Sequence, residues 1–140
     1  MTVSSLRALV VDDSATIRNF VTATLEHAGY EVTTAKSGFE ALKILPSASF
    51  HLVVTDVNMP DINGLELVRY VRKSPLHQNT PIIIISTDGR DKDRDRGMQL
   101  GASAYLVKPF PPETLIELAK QVTAPGANIA PQMVSQVKKS

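Results

Sequence analysis

Short apolar runs alternate along the chain with longer stretches in which apolar positions recur every three or four residues. The runs Ala8–Val11, Glu31–Ala35, Leu52–Thr55, Ile82–Ile85 and Ala104–Val107 have strand length, and most are rich in Val or Ile without a clean alternation. Strands of that composition are buried on both faces. Between the first two, Ile17, Phe20, Val21, Thr24, Leu25 and Ala28 fall on one side of a helix, and Gly29 stands where a left-handed C-terminal cap is needed. Asn63-Gly64-Leu65-Glu66 announces a further helix, with Asn63 as cap and Glu66 able to reach back to it, and Val68 and Val71 continue its inner face. The last helix opens at Pro111-Pro112, tolerated in a first turn, and runs through Leu115, Leu118, Ala119 and Val122. The pattern predicts five strands alternating with five helices, with no repeat at solenoid spacing. Strands joined by helices make a parallel sheet through right-handed crossovers with helices on both faces, which is a doubly wound α/β domain.

Composition narrows the function classes. A chain of 140 residues suits one domain that buries about 68–70% of the surface its unfolded form exposes, and 43% hydrophobic with 21% charged residues is ordinary for a packed protein. Fifteen basic against fourteen acidic residues leave a formal net charge of +1, so no global field favours nucleic acid or an anionic membrane. The absence of cysteine excludes disulfides and thiolate chemistry. The longest aliphatic run, Ile82 to Ile85, is far below the roughly 20 residues of a membrane-spanning helix. Asp12 arrives before any secretory apolar stretch develops, so a cytoplasmic location is the expectation.

In such sheets ligands bind beyond the carboxyl ends of the strands. Those exits carry Asp12-Asp13 after the first strand, Asp56 after the third, Ser86-Thr87 after the fourth and Lys108-Pro109 after the fifth. Two carboxylates about 4 Å apart at an effective dielectric near 20 repel by roughly 4 kcal/mol, so three in one pocket call for a cation. A hard, oxygen-seeking ion such as Mg2+, held by carboxylates, waters and a phosphate oxygen, meets that need. Lys108 and the Ser86 hydroxyl are then placed for the other oxygens of an incoming phosphoryl group, leaving Asp56 to attack phosphorus. Taken singly, Asp12-Asp13-Ser14 also reads as a helix cap, Asp56 as turn chemistry before Met59-Pro60, and Lys108 as a solvated lysine. Their joint occurrence at strand exits favours the site.

From about Leu6 to Val122 the chain resembles a response-regulator receiver. The motifs are Val10-Val11-Asp12-Asp13-Ser14, Val54-Thr55-Asp56-Val57-Asn58-Met59-Pro60 followed by Gly64, Ile85-Ser86-Thr87, and Gly101-Ala102-Ser103-Ala104-Tyr105-Leu106-Val107-Lys108-Pro109-Phe110. The resemblance implies a flavodoxin-like, CheY-like sheet of order 2-1-3-4-5. Residues 1–123 are expected to form the receiver, and 124–140, with Pro125-Gly126, Pro131 and a basic end, read as a flexible C-terminal tail. The resemblance also implies Asp56 as phosphoacceptor, and Mg2+ bound by Asp13, Asp56 and the Asn58 backbone carbonyl, with Asp12 helping through a coordinated water. It further implies Lys108 paired with the phosphoryl group, Ser86 as the switch hydroxyl, Tyr105 as the aromatic that turns inward with it, and a cis bond between Lys108 and Pro109. The chain is then no enzyme in turnover but an acceptor that catalyses its own phosphorylation and slow dephosphorylation. Thr87 departs from the Ala or Gly common after the switch hydroxyl, and its bulk is expected to hinder attacking water. Asp88 and Asn58 stand at positions that tune water access in the family.

A phosphoryl group adds about −1.5 to −2 charge and needs a bistable element to bias, which in receivers is the surface of the fourth helix, fifth strand and fifth helix. The fourth helix here, Asp91-Lys92-Asp93-Arg94-Asp95-Arg96-Gly97, sets like charges four apart and carries a helix-weakening glycine. It reads equally as a solvated face or as a mobile output surface. The phosphodonor expected is a histidine kinase, and the target a protein such as the flagellar motor switch or another motility complex. The residues after Val122 are too few for a DNA-binding domain, so direct DNA binding is not expected. Asp12-Asp13-Ser14-Ala15-Thr16-Ile17-Arg18 and Asn58-Met59-Pro60 look most like stand-alone chemotaxis regulators. A phosphorelay intermediate or phosphate sink is the alternative. A small phosphohydrolase with an aspartyl nucleophile is more distant, because such enzymes usually carry a second Asp where Asn58 stands. A flavin or nucleotide carrier is weaker still, since the first turn is acidic and lacks a glycine-rich cradle.

Overall fold

The computed structural model describes residues 6–87, 91–124 and 132–134, the side chains of 91–93 and 132–134 excepted. Strands β1 (Arg7–Val11), β2 (Glu31–Ala35), β3 (Leu52–Asp56), β4 (Ile82–Ser86) and β5 (Ala104–Val107) alternate with helices α1 (Ala15–His27), α2 (Gly38–Ile44), α3 (Gly64–Lys73), α4 (Asp91–Leu100) and α5 (Pro112–Thr123). The strands pair in parallel in the order β2-β1-β3-β4-β5, as the resemblance implies. A sixth, β6 (Gln132–Val134), adds in parallel to the outer edge of β5. The hydrophobic pattern does not reveal it, because three residues are too short a run to show a period.

Alternate residues of the inner strands feed two cores, one on each face of the sheet. Ala8, Val10, Leu52, Val54, Ile83 and Ile85 pack with Val21 and Leu25 of α1 and Leu115, Leu118 and Ala119 of α5. Leu9, Val11, Val53, Ile82 and Ile84 pack on the other side with Ala41 of α2 and Leu65, Val68 and Val71 of α3. This double burial is the physical reason the inner strands are predominantly apolar. β2, at the sheet edge, is largely exposed, in keeping with its threonines.

Helix ends close largely as the sequence predicts. Gly29 has φ +100°, and the Gly29 and Tyr30 amides donate to the Glu26 and Leu25 carbonyls at 3.0 Å each, a paired C-terminal cap that only a left-handed residue permits. Asn63 Oδ1 accepts from the Leu65 amide at 2.7 Å, while Glu66 lies 4.0 Å from Arg69 on the exposed face. Two expectations change in meaning. Phe20, on the predicted inner face of α1, is 37% exposed, its ring 5.8 Å from that of Phe110 at the rim of the cleft. Gly97 is buried, and a Cβ there would come within 2.6 Å of Ile84 Cδ1, so this glycine lets α4 sit close on the sheet as well as lowering its helix propensity. Among the described residues no helix is long and apolar enough to cross a membrane.

Candidate functional site

The sheet delivers its polar residues to one edge. Asp12 follows β1 and is 3% exposed, with Oδ1 accepting from the Ser14 amide at 2.9 Å. Ser14 Oγ in turn accepts from the Ile17 amide at 3.4 Å, so the acidic loop is also the N-terminal cap of α1, and the two sequence readings of this loop coexist. Asp56 ends β3 and is 7% exposed. Its loop is pinned where the Val57 amide donates to Ile85 O at 3.2 Å and the Gly64 amide donates to Val57 O at 2.8 Å. Lys108 follows β5, its amide donating to Ser86 O at 2.8 Å, and the Lys108-Pro109 bond is cis. Lys108 Nζ then lies 3.5 Å from Asp56 Oδ1 and 3.7 Å from Asp12 Oδ2.

Asp12, Asp13 and Asp56 each offer an oxygen within 4.8 Å of the others, and Asp13 alone of the three is exposed. Burial pushes the Asp56 carboxyl above the ordinary carboxylate range, with Asp12 and Asp13 adding to the rise and Lys108 opposing it. Burial likewise raises Asp12, against the Ser14 amide, Lys108 and Arg18. Among the described residues, two nearly buried acids held above their usual values and an exposed third are faced by the Lys108 ammonium, with the Arg18 guanidinium also acting on Asp12. The donors are all hard oxygens, so the cluster fits a small divalent cation such as Mg2+ and offers nothing to a soft metal.

Ser86 is fully buried at the end of β4, one residue past Ile85, the register partner of Asp56. Tyr105 is 1% exposed, facing the core beneath α4, with Cδ2 4.0 Å from where a Gly97 Cβ would lie. Asn58 and Thr87 are exposed, and Thr87 lines a cleft with Lys108, Pro109, Ile17, Phe20 and Phe110. Asp88 lies outside the described residues. The structure therefore brings Asp12, Asp13, Asp56 and Lys108 together, while Tyr105 belongs to the core under α4.

Two supporting residues escape the sequence reading. Arg18 Nη1 donates to the Asp12 carbonyl at 2.8 Å, fastening the acidic loop to α1. Asp61, on the loop after Asp56, accepts from the amides of Phe39 at 2.8 Å and Gly38 at 3.2 Å, tying that loop to the start of α2. The Phe39 amide is the leading reason that the Asp61 carboxyl sits below its usual range. Arg18 has a local signal, since α1 carries it one turn past the loop it grips; Asp61 has none, its partners lying far back in the chain.

A family model for the response regulator receiver domain matches residues 8–120. A chemotaxis protein CheY homolog of Campylobacter jejuni is 37% identical over 124 residues, spanning 87% of this chain and 95% of that protein. Chemotaxis protein CheY1 of Helicobacter pylori is 41% identical over 114 residues, or 80% and 92% of the two chains. The structure of the chemotaxis response regulator CheY4 of Vibrio cholerae matches with a TM-score of 0.80 at 42% identity, covering 85% of this chain and 99% of that one. With fold, site and relatives in agreement, the chain belongs to the response-regulator receiver family and is CheY-like within it.

Proposed function

We propose that this chain is a phosphoacceptor switch of a two-component system, taking a phosphoryl group from a histidine kinase onto Asp56 and signalling through its α4–β5–α5 face to a protein partner in chemotaxis or motility. The observation that carries the reading is the Lys108 ammonium 3.5 Å from Asp56 Oδ1, beside acids whose oxygens lie within 4.8 Å of one another. Asp12, Asp13, Asp56 and the Asn58 carbonyl would hold Mg2+, whose charge offsets that of a phosphoryl group and of the carboxylates around it. Asp56 Oδ attacks phosphorus, an acyl phosphate bond forms as the phosphorus–nitrogen bond of the donor imidazole breaks, and the electron pair leaves with that nitrogen. Lys108 and the Ser86 hydroxyl bind the equatorial oxygens as charge spreads over them. Ser86 and Tyr105 act as the switch pair. The chemotaxis assignment is supported by chemotaxis relatives that align over nearly their full length.

The test is mass measurement after incubation with a small acyl-phosphate donor. Wild type gains one phosphate with Mg2+ and none when the ion is chelated. A chain that gains none under conditions where comparable receivers do, or that gains it unchanged with Asp56 replaced by Asn, overturns the reading.

Lys108→Ala is expected to slow phosphate gain by about 100-fold, the usual cost of removing one preorganised donor from a developing charge. A time course with saturating donor checks it. Thr87→Ala is expected to shorten the phosphoryl half-life by roughly threefold, under about 1 kcal/mol of barrier, by opening the Thr87–Lys108 cleft to water. Equal decay of the two purified phosphoproteins would refute that role for Thr87.

A further inference from the structure

The edge of β5 is taken by the chain's own C-terminal segment. β6 pairs with it in parallel, Gln132 opposite Ala104, Met133 opposite Tyr105 and Val134 opposite Leu106. Left open, that edge would present unpaired N–H and C=O groups, the chemistry to which an added strand binds. Three residues form too few ladder bonds to hold an edge against a longer competitor on their own. Because Gln132–Val134 and β5 belong to one chain, their association is intramolecular and needs less intrinsic strength than binding of a separate strand. The position also adjoins α4. Tyr105, in register with Met133, is the residue buried beneath Gly97 of α4, so the edge, the inward aromatic and α4 form one continuous piece of the fold.

We propose that the outer edge of β5 is a strand-accepting interaction surface, that Gln132–Val134 occupies it in cis as a displaceable plug, and that a partner reading the α4–β5–α5 face must expel it. The last clause depends on the function proposed above; occupancy of the edge does not.

The test uses full-length chains carrying Met133→Pro or Val134→Pro. Alternate residues of an edge strand direct their N–H groups at the neighbouring strand, so one of two adjacent substitutions removes a bond to β5. In at least one variant the β5 amides facing away from β4 are expected to exchange about tenfold faster than in wild type, with those facing β4 unchanged. A synthetic peptide of residues 128–140 then restores their protection. Unchanged exchange in both variants, or no effect of the peptide, overturns the plug. Wild-type protection that falls on dilution assigns the strand to a second copy of the chain and overturns its action in cis. Wild type that has gained phosphate mass should show faster exchange at the same amides, and unchanged exchange in that phosphorylated protein overturns the coupling. A chain that gains no phosphate mass instead counts against the proposed function, and the proline variants still decide the plug.

Discussion

Asp56→Asn is expected to abolish phosphate gain and, in the same molecule, to raise the unfolding temperature by roughly 3 °C, about 1 kcal/mol for a domain of this size. The first effect follows because an amide oxygen is a far poorer nucleophile than a carboxylate and cannot give the same acyl phosphate. The second follows from burial, which lifts the Asp56 carboxyl above the reference value of 3.8. A carboxylate whose folded value is raised binds its proton more tightly in the native state, so between 3.8 and the raised value stability falls as pH rises. Above the raised value the folded chain carries the whole cost of that ionised group. Asn fills the same space without the charge. The gain from Asp56→Asn should therefore be full once pH is above the raised value and shrink as pH drops through it toward 3.8. Asp12 is raised for the same leading cause and adds to the trend. Asp61 is lowered and acts in the opposite sense, losing stability as pH falls through its depressed value, but it is fully exposed and its influence is small. Thermal unfolding of both proteins across pH, without metal, checks the account; a variant less stable than wild type at pH 7 would sink it.

The same reasoning separates the ion from the acids that hold it. A cation that binds only the folded state stabilises by an amount set by its concentration over its dissociation constant, about 2.7 kcal/mol at a hundredfold excess. Mg2+ should raise the unfolding temperature of wild type, and raise that of Asp56→Asn far less. Stability thus lost to clustered carboxylates in the free protein becomes affinity for the ion.

How much of this is legible in the sequence depends on whether a feature is local. The inner strands could be read because burial on both faces leaves no choice of residue: β3 and β4 are buried at every position. Gly29 could be read because its cap is satisfied within the preceding turn. Asp12, Asp13, Asp56 and Lys108 could be placed together because parallel strands carry their carboxyl ends to one edge whatever the loops do. Contacts between distant loops are silent. Asp61 reaches α2 across more than twenty residues with nothing near either end to announce it, and β6 is too short to show a pattern. Phe20 shows the limit of periodicity, which marks the side of a helix that faces inward but not how far the packing extends toward its rim.

Gly64→Ala is expected to cost about 3 kcal/mol of stability and to slow phosphorylation by about 100-fold, although Gly64 touches no substrate. A Cβ on Gly64 would lie 2.0 Å from the Asp56 carbonyl oxygen and 2.9 Å from both Asp56 C and Val57 Cα. Each of these is a backbone atom, so no side-chain rotation relieves the clash. Either α3 moves outward, straining the 2.8 Å bond from the Gly64 amide to Val57 O and the 2.7 Å Asn63 cap, or the strand end carrying Asp56 moves. Both displace the acceptor relative to Lys108, and a misplacement near 1 Å suffices for a hundredfold loss. Gly97→Ala is the instructive contrast, because its new Cβ would meet Ile84 Cδ1 at 2.6 Å, the free end of a flexible side chain. Rotation of Ile84, together with the roughly 1 kcal/mol that Ala gains over Gly in a helix, should leave that variant near wild-type stability. Urea unfolding and phosphate incorporation on the two variants measure the difference directly. A Gly64→Ala protein that unfolds within about 1 kcal/mol of wild type and takes phosphate at the normal rate would mean that the turn after Asp56 yields freely, and that the position of the acceptor is held by something other than this contact.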